Sequence, residues 1–554
     1  MNSIYHKLLK RFADSLLKTQ IHSDNRSFNG GFLCESCKTI HGRCIDAIYG
    51  FAVAYKYFRE EKYLTAIYDL LEYSKNLTCN NGAIYNDLQT EWLYTTVFFV
   101  IDLVETLNSA KDVLPKDLVN TLEEKVAFHS KWLYLNLDEH SPTNINYPAN
   151  NALAMLLAGN YLNNEDYIKR AHSLADYAFK HISENHLLYG EGKPHNDVSK
   201  RGCFAIDIGY NLEETLPALT KYAYLNNNEE KKELIYQVAL AHLDFILPDG
   251  AIDNSFGCRN YKWTYYGSRT CDGILPLCFL LSDRNKQFLE AGYRNTLLID
   301  KCSEDGLLYG GPMYKKHLEK PCVHHTFEHF NSFAFAVDYL NNHKMIDKKI
   351  SLPSDVPYSK YYPEMDSYRI ATKDMLADIT CYDVAIPYSG HASGATLTML
   401  YSRTKGPMIM GSVGNYELTE PTNMQVLLDR EKHRPLLPRF EIKKEKDLYS
   451  SVYDVNAFKK GKLKFGCSLR TKDKKEYPNS NFDIEYKVLN NKARIEITNF
   501  KLDIPYILPL ISGEISVIKG KIIKKEETFF LTPGFIATEY SVMPFNGEIV
   551  IEVK

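Results

Sequence analysis

The chain has 554 residues, 45% hydrophobic and 24% charged, a globular composition too long for one ordinary domain. Its formal net charge of -3 supplies no basic field and argues against nucleic acid as a partner, and no apolar run is long enough to cross a membrane. The 40 Tyr and 27 Phe suit a carbohydrate surface, where ring faces and hydroxyls both find partners. The 12 Cys are scattered through apolar segments and read as buried free thiols. Met1–Gln20 has no uninterrupted apolar core, so the expectation is a cytoplasmic protein, or a periplasmic or secreted one from which a signal has been removed.

From Ser3 to about residue 345, apolar residues recur at three- and four-residue spacing in roughly a dozen segments. The predicted helices are 3–19, 44–58, 61–75, 88–107, 115–136, 150–162, 166–182, 206–225, 229–246, 272–281, 286–298 and 325–341. Short polar turns (Asn163-Asn164-Glu165, Asn226-Asn227-Asn228) alternate with long loops rich in Gly, Asn and aromatics. That alternation suggests an (α/α) toroid of about six helical hairpins over residues 1–350, its long loops gathered at one end around a groove. Pro353, Pro357 and Pro363 punctuate a polar connector, 351–366. Beyond it the period falls to two, in Ser367–Ile370, Ala377–Tyr382, Thr396–Tyr401, Phe482–Val488, Lys492–Ile497 and Glu548–Val553. Residues 367–554 therefore read as an antiparallel β-sandwich, giving an α+β multidomain chain.

The stretch Asn146-Tyr147-Pro148-Ala149-Asn150-Asn151 precedes a strongly apolar helix. Pro148 suits a helix start, which would place Asn150 and Asn151 on the first turn, one amide capping and the other facing outward. A second loop, Asp249 to Gly257, leads to Arg259 and then Lys262-Trp263-Thr264-Tyr265-Tyr266-Gly267-Ser268-Arg269. Trp263, Tyr265 and Tyr266 could form a stacking floor, and Arg269 a fork for a carboxylate or sulfate; the alternative is an aromatic loop packed on its neighbours. Tyr210 follows Asn151 by one hairpin, and His195 lies in the polar loop before it. In His324-His325-Thr326-Phe327-Glu328-His329, His324 or His325 could neutralise a carboxylate or carry a proton, although such histidines are more often satisfied core residues. Cys34, Cys37, His41 and Cys44 have the ligand types of a structural zinc at a spacing tighter than common knuckles. A competing reading turns His41, Arg43 and Asp46 toward the toroid cavity.

Together with Ser389-Gly390-His391-Ala392-Ser393, Gly406-Pro407 and a stretch ending at Tyr416, these features resemble the heparinase II/III-like polysaccharide lyases and their alginate-lyase relatives. The resemblance implies a toroid followed by a β-sandwich, with an acidic polysaccharide between them. It implies β-elimination on a uronate: Asn150 and Asn151, with Arg269, would neutralise the carboxylate, and Tyr210 and His325 or His195 would move the protons. Arg43, His324 and His391 would contact substrate, and no metal is required. Two departures stand out. Ser389 and Ser393 occupy positions where the family pattern has a histidine and an acid, so a base and a metal ligand are missing there. The competing functions are a glycoside hydrolase using two of Asp87, Asp207, Glu213 and Asp272, and a non-catalytic carbohydrate-binding protein.

Overall fold

A computed structural model describes residues 3–88, 90–141, 143–303, 305–342, 349–384, 392–411, 437–530 and 532–554. His391 and Tyr416 lie outside the described residues. The helices run Ile4–Leu16, Ile48–Phe58, Glu61–Leu77, Thr96–Ala110, Lys116–Asn136, Asn146–Leu162, Glu165–Phe179, Ile208–Tyr210, Leu216–Leu225, Glu229–Leu243, Leu275–Leu281, Gln287–Lys301 and Val323–Asn342. Their cause is visible in the first: Ser3 accepts from the His6 N–H as a cap, and Tyr5, Leu8, Leu9, Phe12 and Leu16 fall on one buried stripe. The short asparagine turns are also helix starts, since Asn164 and Asn228 accept hydrogen bonds from the first turns of Glu165–Phe179 and Glu229–Leu243. The ring closes where the first helix meets the last, Phe12 packing edge-on against Phe333 and Tyr5 lying tilted to it, at centroid distances of 5.5 and 6.5 Å.

Two boundaries differ from the sequence reading in ways that matter. The helix expected from 150 starts at Asn146, whose backbone N–H donates to Glu191 Oε1 at 3.0 Å. A carboxylate 45 residues away thus supplies the first-turn acceptor, and Asn150 and Asn151 move one turn inward. The helix expected from 88 starts at Thr96, leaving 90–95 outside it.

The second half's sheets begin at Tyr358–Tyr362, inside the stretch read as a connector, and this strand pairs with Ser367–Ala371. Met375–Thr380, Thr396–Ser402 and Gly406–Met410 complete a five-stranded antiparallel sheet in chain order. Its strands Met375–Thr380 and Thr396–Ser402 are buried on both faces. Leu376, Met399 and Tyr401 join the helical core, whereas Met375, Ala377, Ile379 and Leu400 join a core shared with two further antiparallel sheets. One of these contains Phe482–Val488, Ala493–Thr498 and Ile549–Val553, and the other Tyr506–Leu510 and Phe535–Met543. Buried charge ties the halves together: Arg369 pairs with Asp378 of its own sheet and with Asp253 of the helical half, and Arg201 pairs with Asp366. Among the described residues, no helix is long and apolar enough to cross a membrane.

Candidate active site

The long loops of the helical half surround a cleft of about 460 Å³. Several of its polar contacts converge on Tyr210. Asp207 caps the short helix Ile208–Tyr210 by accepting from the Tyr210 N–H at 3.0 Å, and Asp207 Oδ2 accepts the Arg259 N–H at 2.8 Å. One carboxylate therefore fixes the tyrosine and the arginine relative to each other. The Arg259 guanidinium lies 3.9 Å above the Tyr210 ring, and its Nη1 pairs with Glu191 at 3.0 Å. Lys262 Nζ donates to the Tyr210 hydroxyl at 3.2 Å. An ammonium has no acceptor, so the phenol keeps its own proton to give, and here it is within reach of Thr270 Oγ1.

After Tyr210 the helix widens through a π-turn, Asn211–Thr215. Two consecutive carboxylates, Glu213 and Glu214, are thereby both buried. Glu213 accepts from the Ser268 N–H at 2.5 Å and faces His329 Nε2 at 3.3 Å, so it is structural. A Cβ on Gly267 would stand 2.0 Å from Glu213 Oε1, which requires glycine there. Glu214 lines the cleft and accepts from Asn146 Nδ2 at 2.5 Å, leaving the buried Asn146 Oδ1 without a hydrogen bond. Burial raises the pKa of Glu214 against the pull of Arg43. Burial also holds Tyr210 well above its ordinary value, with Arg259 opposing. His324 lines the cleft too; burial, then His41 and Arg43, drive its pKa well below the usual imidazole range. Its Nε2 sits 3.2 Å from Glu328 Oε1 without hydrogen-bond geometry. Arg43 reaches Glu328 at 3.0 Å and the Thr270 carbonyl at 3.1 Å. At the rim, Trp92 is 41% exposed and donates to the Tyr147 hydroxyl at 2.7 Å, an aromatic ledge open to solvent.

Of the residues singled out in the sequence, Tyr210, Arg43, His324 and His41 line this cleft. The others do not. Asn151 donates to the Leu137 carbonyl at 3.0 Å inside the core. Asn150 donates to the Asn146 carbonyl at 2.9 Å and borders a chamber of about 30 Å³. His325 is buried against the Tyr266 hydroxyl at 2.9 Å. His195 contacts the Tyr177 hydroxyl and the Gly190 carbonyl. Arg269 donates to the Tyr314 hydroxyl, Tyr265 to Asp249 Oδ2, and Trp263 Nε1 to the Ile252 carbonyl. The small hairpin Trp263–Thr264/Gly267–Ser268 turns these rings into the core. Of the four acids considered for hydrolysis, Asp87 alone lines the cleft, and Asp207 and Glu213 are spent on backbone and ion-pair contacts. Asn144, Asn146, Glu214, Arg259, Lys262 and Trp92 were not selected from the sequence. Asn146, Arg259 and Lys262 stood inside the stretches that drew attention, and Glu214 is four residues beyond Tyr210.

A helical ring joined to antiparallel sheets, with a cationic cleft organised around a tyrosine, is the construction of a polysaccharide lyase. The ulvan lyase N-terminal domain family matches residues 9–355, and the ulvan lyase C-terminal domain family matches 359–526. A broad-specificity ulvan lyase of Formosa agariphila is 33% identical over 462 residues, covering 81% of this chain and 72% of that protein. The chain belongs to the ulvan lyase family. A Streptomyces coelicolor A3 chondroitin AC lyase, solved with chondroitin sulphate, shares the fold with a TM-score of 0.52 at 10% identity, covering 99% of this chain and 79% of that one. A Paenibacillus xanthan lyase gives 0.52 at 9% identity, covering 99% of this chain and 56% of the other. The toroid-lyase architecture expected from the sequence is thus the architecture observed, and the protein is a polysaccharide lyase acting on a uronic-acid-containing polysaccharide.

Proposed function

We propose that the protein cleaves ulvan by β-elimination in the cleft around Tyr210. The observation that carries this is the placement of the Tyr210 hydroxyl, supplied with a hydrogen bond from Lys262 and stacked under Arg259, in the same cleft as the Asn146–Glu214 pair. The C5 proton of a uronate becomes removable when the adjacent carboxylate is neutralised and the developing enolate is stabilised. Asn146 supplies a neutral amide. Glu214, whose pKa burial raises, accepts from the Asn146 amide and so holds it in the cleft. Arg259 adds a fixed positive charge. The neutral imidazole of His324 takes the C5 proton, the C4–O4 bond breaks, and Tyr210 gives its proton to the departing O4, leaving a C4=C5 double bond. The proton on His324 returns to the tyrosine through solvent, so the enzyme is restored. Trp92 and Tyr147 offer sugar rings a stacking surface at the rim.

Support for ulvan comes from the family match and the Formosa agariphila relative. The test is incubation with ulvan, chondroitin, hyaluronan and alginate while the ultraviolet absorbance of the conjugated double bond is followed. Absorbance rising fastest with ulvan is expected. New reducing ends without that absorbance would replace elimination with hydrolysis.

A further inference from the structure

One side-chain cluster beside the cleft has no part in the chemistry above. Cys34, Cys37 and His41 are buried, and their Sγ, Sγ and imidazole nitrogen atoms all lie within 4.8 Å of one another. Cys37 Sγ is 3.0 Å from His41 Nε2. Cys44, the fourth candidate from the sequence, lies outside this group. Cys322, from the other end of the ring, also falls outside that mutual distance, but its Sγ is 3.7 Å from Cys34 Sγ across a separation of 288 residues, which brings a fourth ligand to the edge of the group.

We propose that Cys34, Cys37, His41 and Cys322 form a structural zinc site that fastens the first loop of the toroid to its last helix. The ligand set is three sulfurs and one imidazole nitrogen, a composition found in closed tetrahedral zinc sites. At a Zn–S distance of about 2.3 Å, two sulfurs of a tetrahedron stand about 3.8 Å apart. The Cys34–Cys322 separation of 3.7 Å already matches that edge. The Cys37–His41 separation of 3.0 Å has to open by roughly half an ångström to admit the ion, within the reach of a side-chain rotation.

The backbone is built as for a ligand turn. The Lys38 N–H donates to the Cys34 carbonyl at 2.9 Å, the Cys34 N–H donates to the Thr39 carbonyl at 2.9 Å, and Lys38 takes a left-handed φ of 56°. Thr39 Oγ1 donates to Cys37 Sγ at 3.2 Å, the outer hydrogen bond that orients a metal-bound thiolate. Cys322 is pinned on its side, its N–H bonded to the Leu308 carbonyl and its carbonyl accepting from Thr326 Oγ1 at 2.8 Å. Zinc entering this site displaces the thiol protons to solvent and changes no oxidation state. The ion would also hold the His41 ring, which lines the cleft with its centroid 4.7 Å from that of His324.

The experiment measures zinc by elemental analysis in the purified full-length protein, after loading with zinc and desalting. About one zinc per chain is expected in the wild type and in Cys44→Ser, with loss in Cys34→Ser and Cys322→Ser. Cobalt loaded in place of zinc should give thiolate-to-cobalt charge-transfer absorption and intense tetrahedral bands, both weakened in Cys322→Ser. If a serine variant does not fold, mass-mapped alkylation of the wild type decides: Cys34, Cys37 and Cys322 should gain reactivity on chelation while Cys44 does not. A wild-type protein that retains no zinc after loading overturns the proposal. So does a folded Cys322→Ser with full zinc and an unchanged cobalt spectrum, or a Cys34–Cys322 disulfide in the freshly purified protein.

Discussion

Replacing Tyr210 by phenylalanine removes one oxygen atom and little else. The ring keeps its place beneath Arg259, whose guanidinium is 3.9 Å away, and the backbone cap from Asp207 is untouched. The hydroxyl's contacts with Lys262 and Thr270 are lost, and they contribute on the order of 1–3 kcal/mol each to a fold held by many other contacts. The proton for O4 is also lost. General acid catalysis supplies about 100- to 10,000-fold, so the barrier should rise by about 2.7–5.4 kcal/mol. The fall should appear in kcat with KM changed little, because the cations that recognise the carboxylate stay in place. The assay is the initial rate of double-bond absorbance on ulvan, alongside circular dichroism and a thermal melt. A folded Tyr210→Phe enzyme within about tenfold of wild-type kcat would refute the assignment of Tyr210 as proton donor.

Asn146→Ala should lower kcat by about 100- to 1,000-fold, the range for loss of one donor to a developing oxyanion. Asn151→Ala should leave kcat intact but lower stability by about 1–3 kcal/mol, because its amide satisfies the Leu137 carbonyl in the core; chemical denaturation with steady-state kinetics on both variants checks the pair, and the reverse pattern would return Asn151 to the chemistry. Glu191 gives a pH dependence. Burial raises its pKa to about 7 despite Arg259, whereas the unfolded chain keeps the ordinary value. Between those two values the folded state binds the extra proton, so this group favours folding as pH falls from 7 and penalises it as pH rises through 7. Its ion pair with Arg259 forms in the opposite direction, so kcat/KM should climb through about pH 7. Glu191→Gln should flatten both profiles when melting temperature and kcat/KM are measured from about pH 5 to about pH 9, and an unchanged wild-type-like profile in that variant would assign the titration elsewhere.

The readable parts of the site were those carried by local chemistry. Tyr210 was legible because a polar loop feeds directly into its helix, and the Arg259–Lys262 segment drew attention because its composition suits no ordinary core. Within that segment Trp263, Tyr265, Tyr266 and Arg269 read as a sugar subsite, since large aromatics and a second arginine suit one. The hairpin that buries them is only two residues per strand and leaves no periodic trace. The aromatic ledge was concealed for a related reason: Trp92 falls in a stretch with helical spacing, yet 90–95 precede the helix. Periodicity puts this helix start four residues later than the fold does, which sets Asn150 and Asn151 rather than Asn146 on the first turn.

By itself the sequence determined the class of architecture, since apolar spacing of three and four changes to two near residue 360 and each period dictates which faces must be covered. It also determined the turns capped by Asn164 and Asn228, whose hydrogen bonds span only two or three residues. Tertiary structure decided the site, because each decisive partner is distant in the chain. Glu191 reaches Asn146 and Arg259, Asp207 reaches Arg259, and Cys322 reaches Cys34. A helix start, a pair of cations and a cluster of thiols all take their meaning from contacts made when the toroid closes.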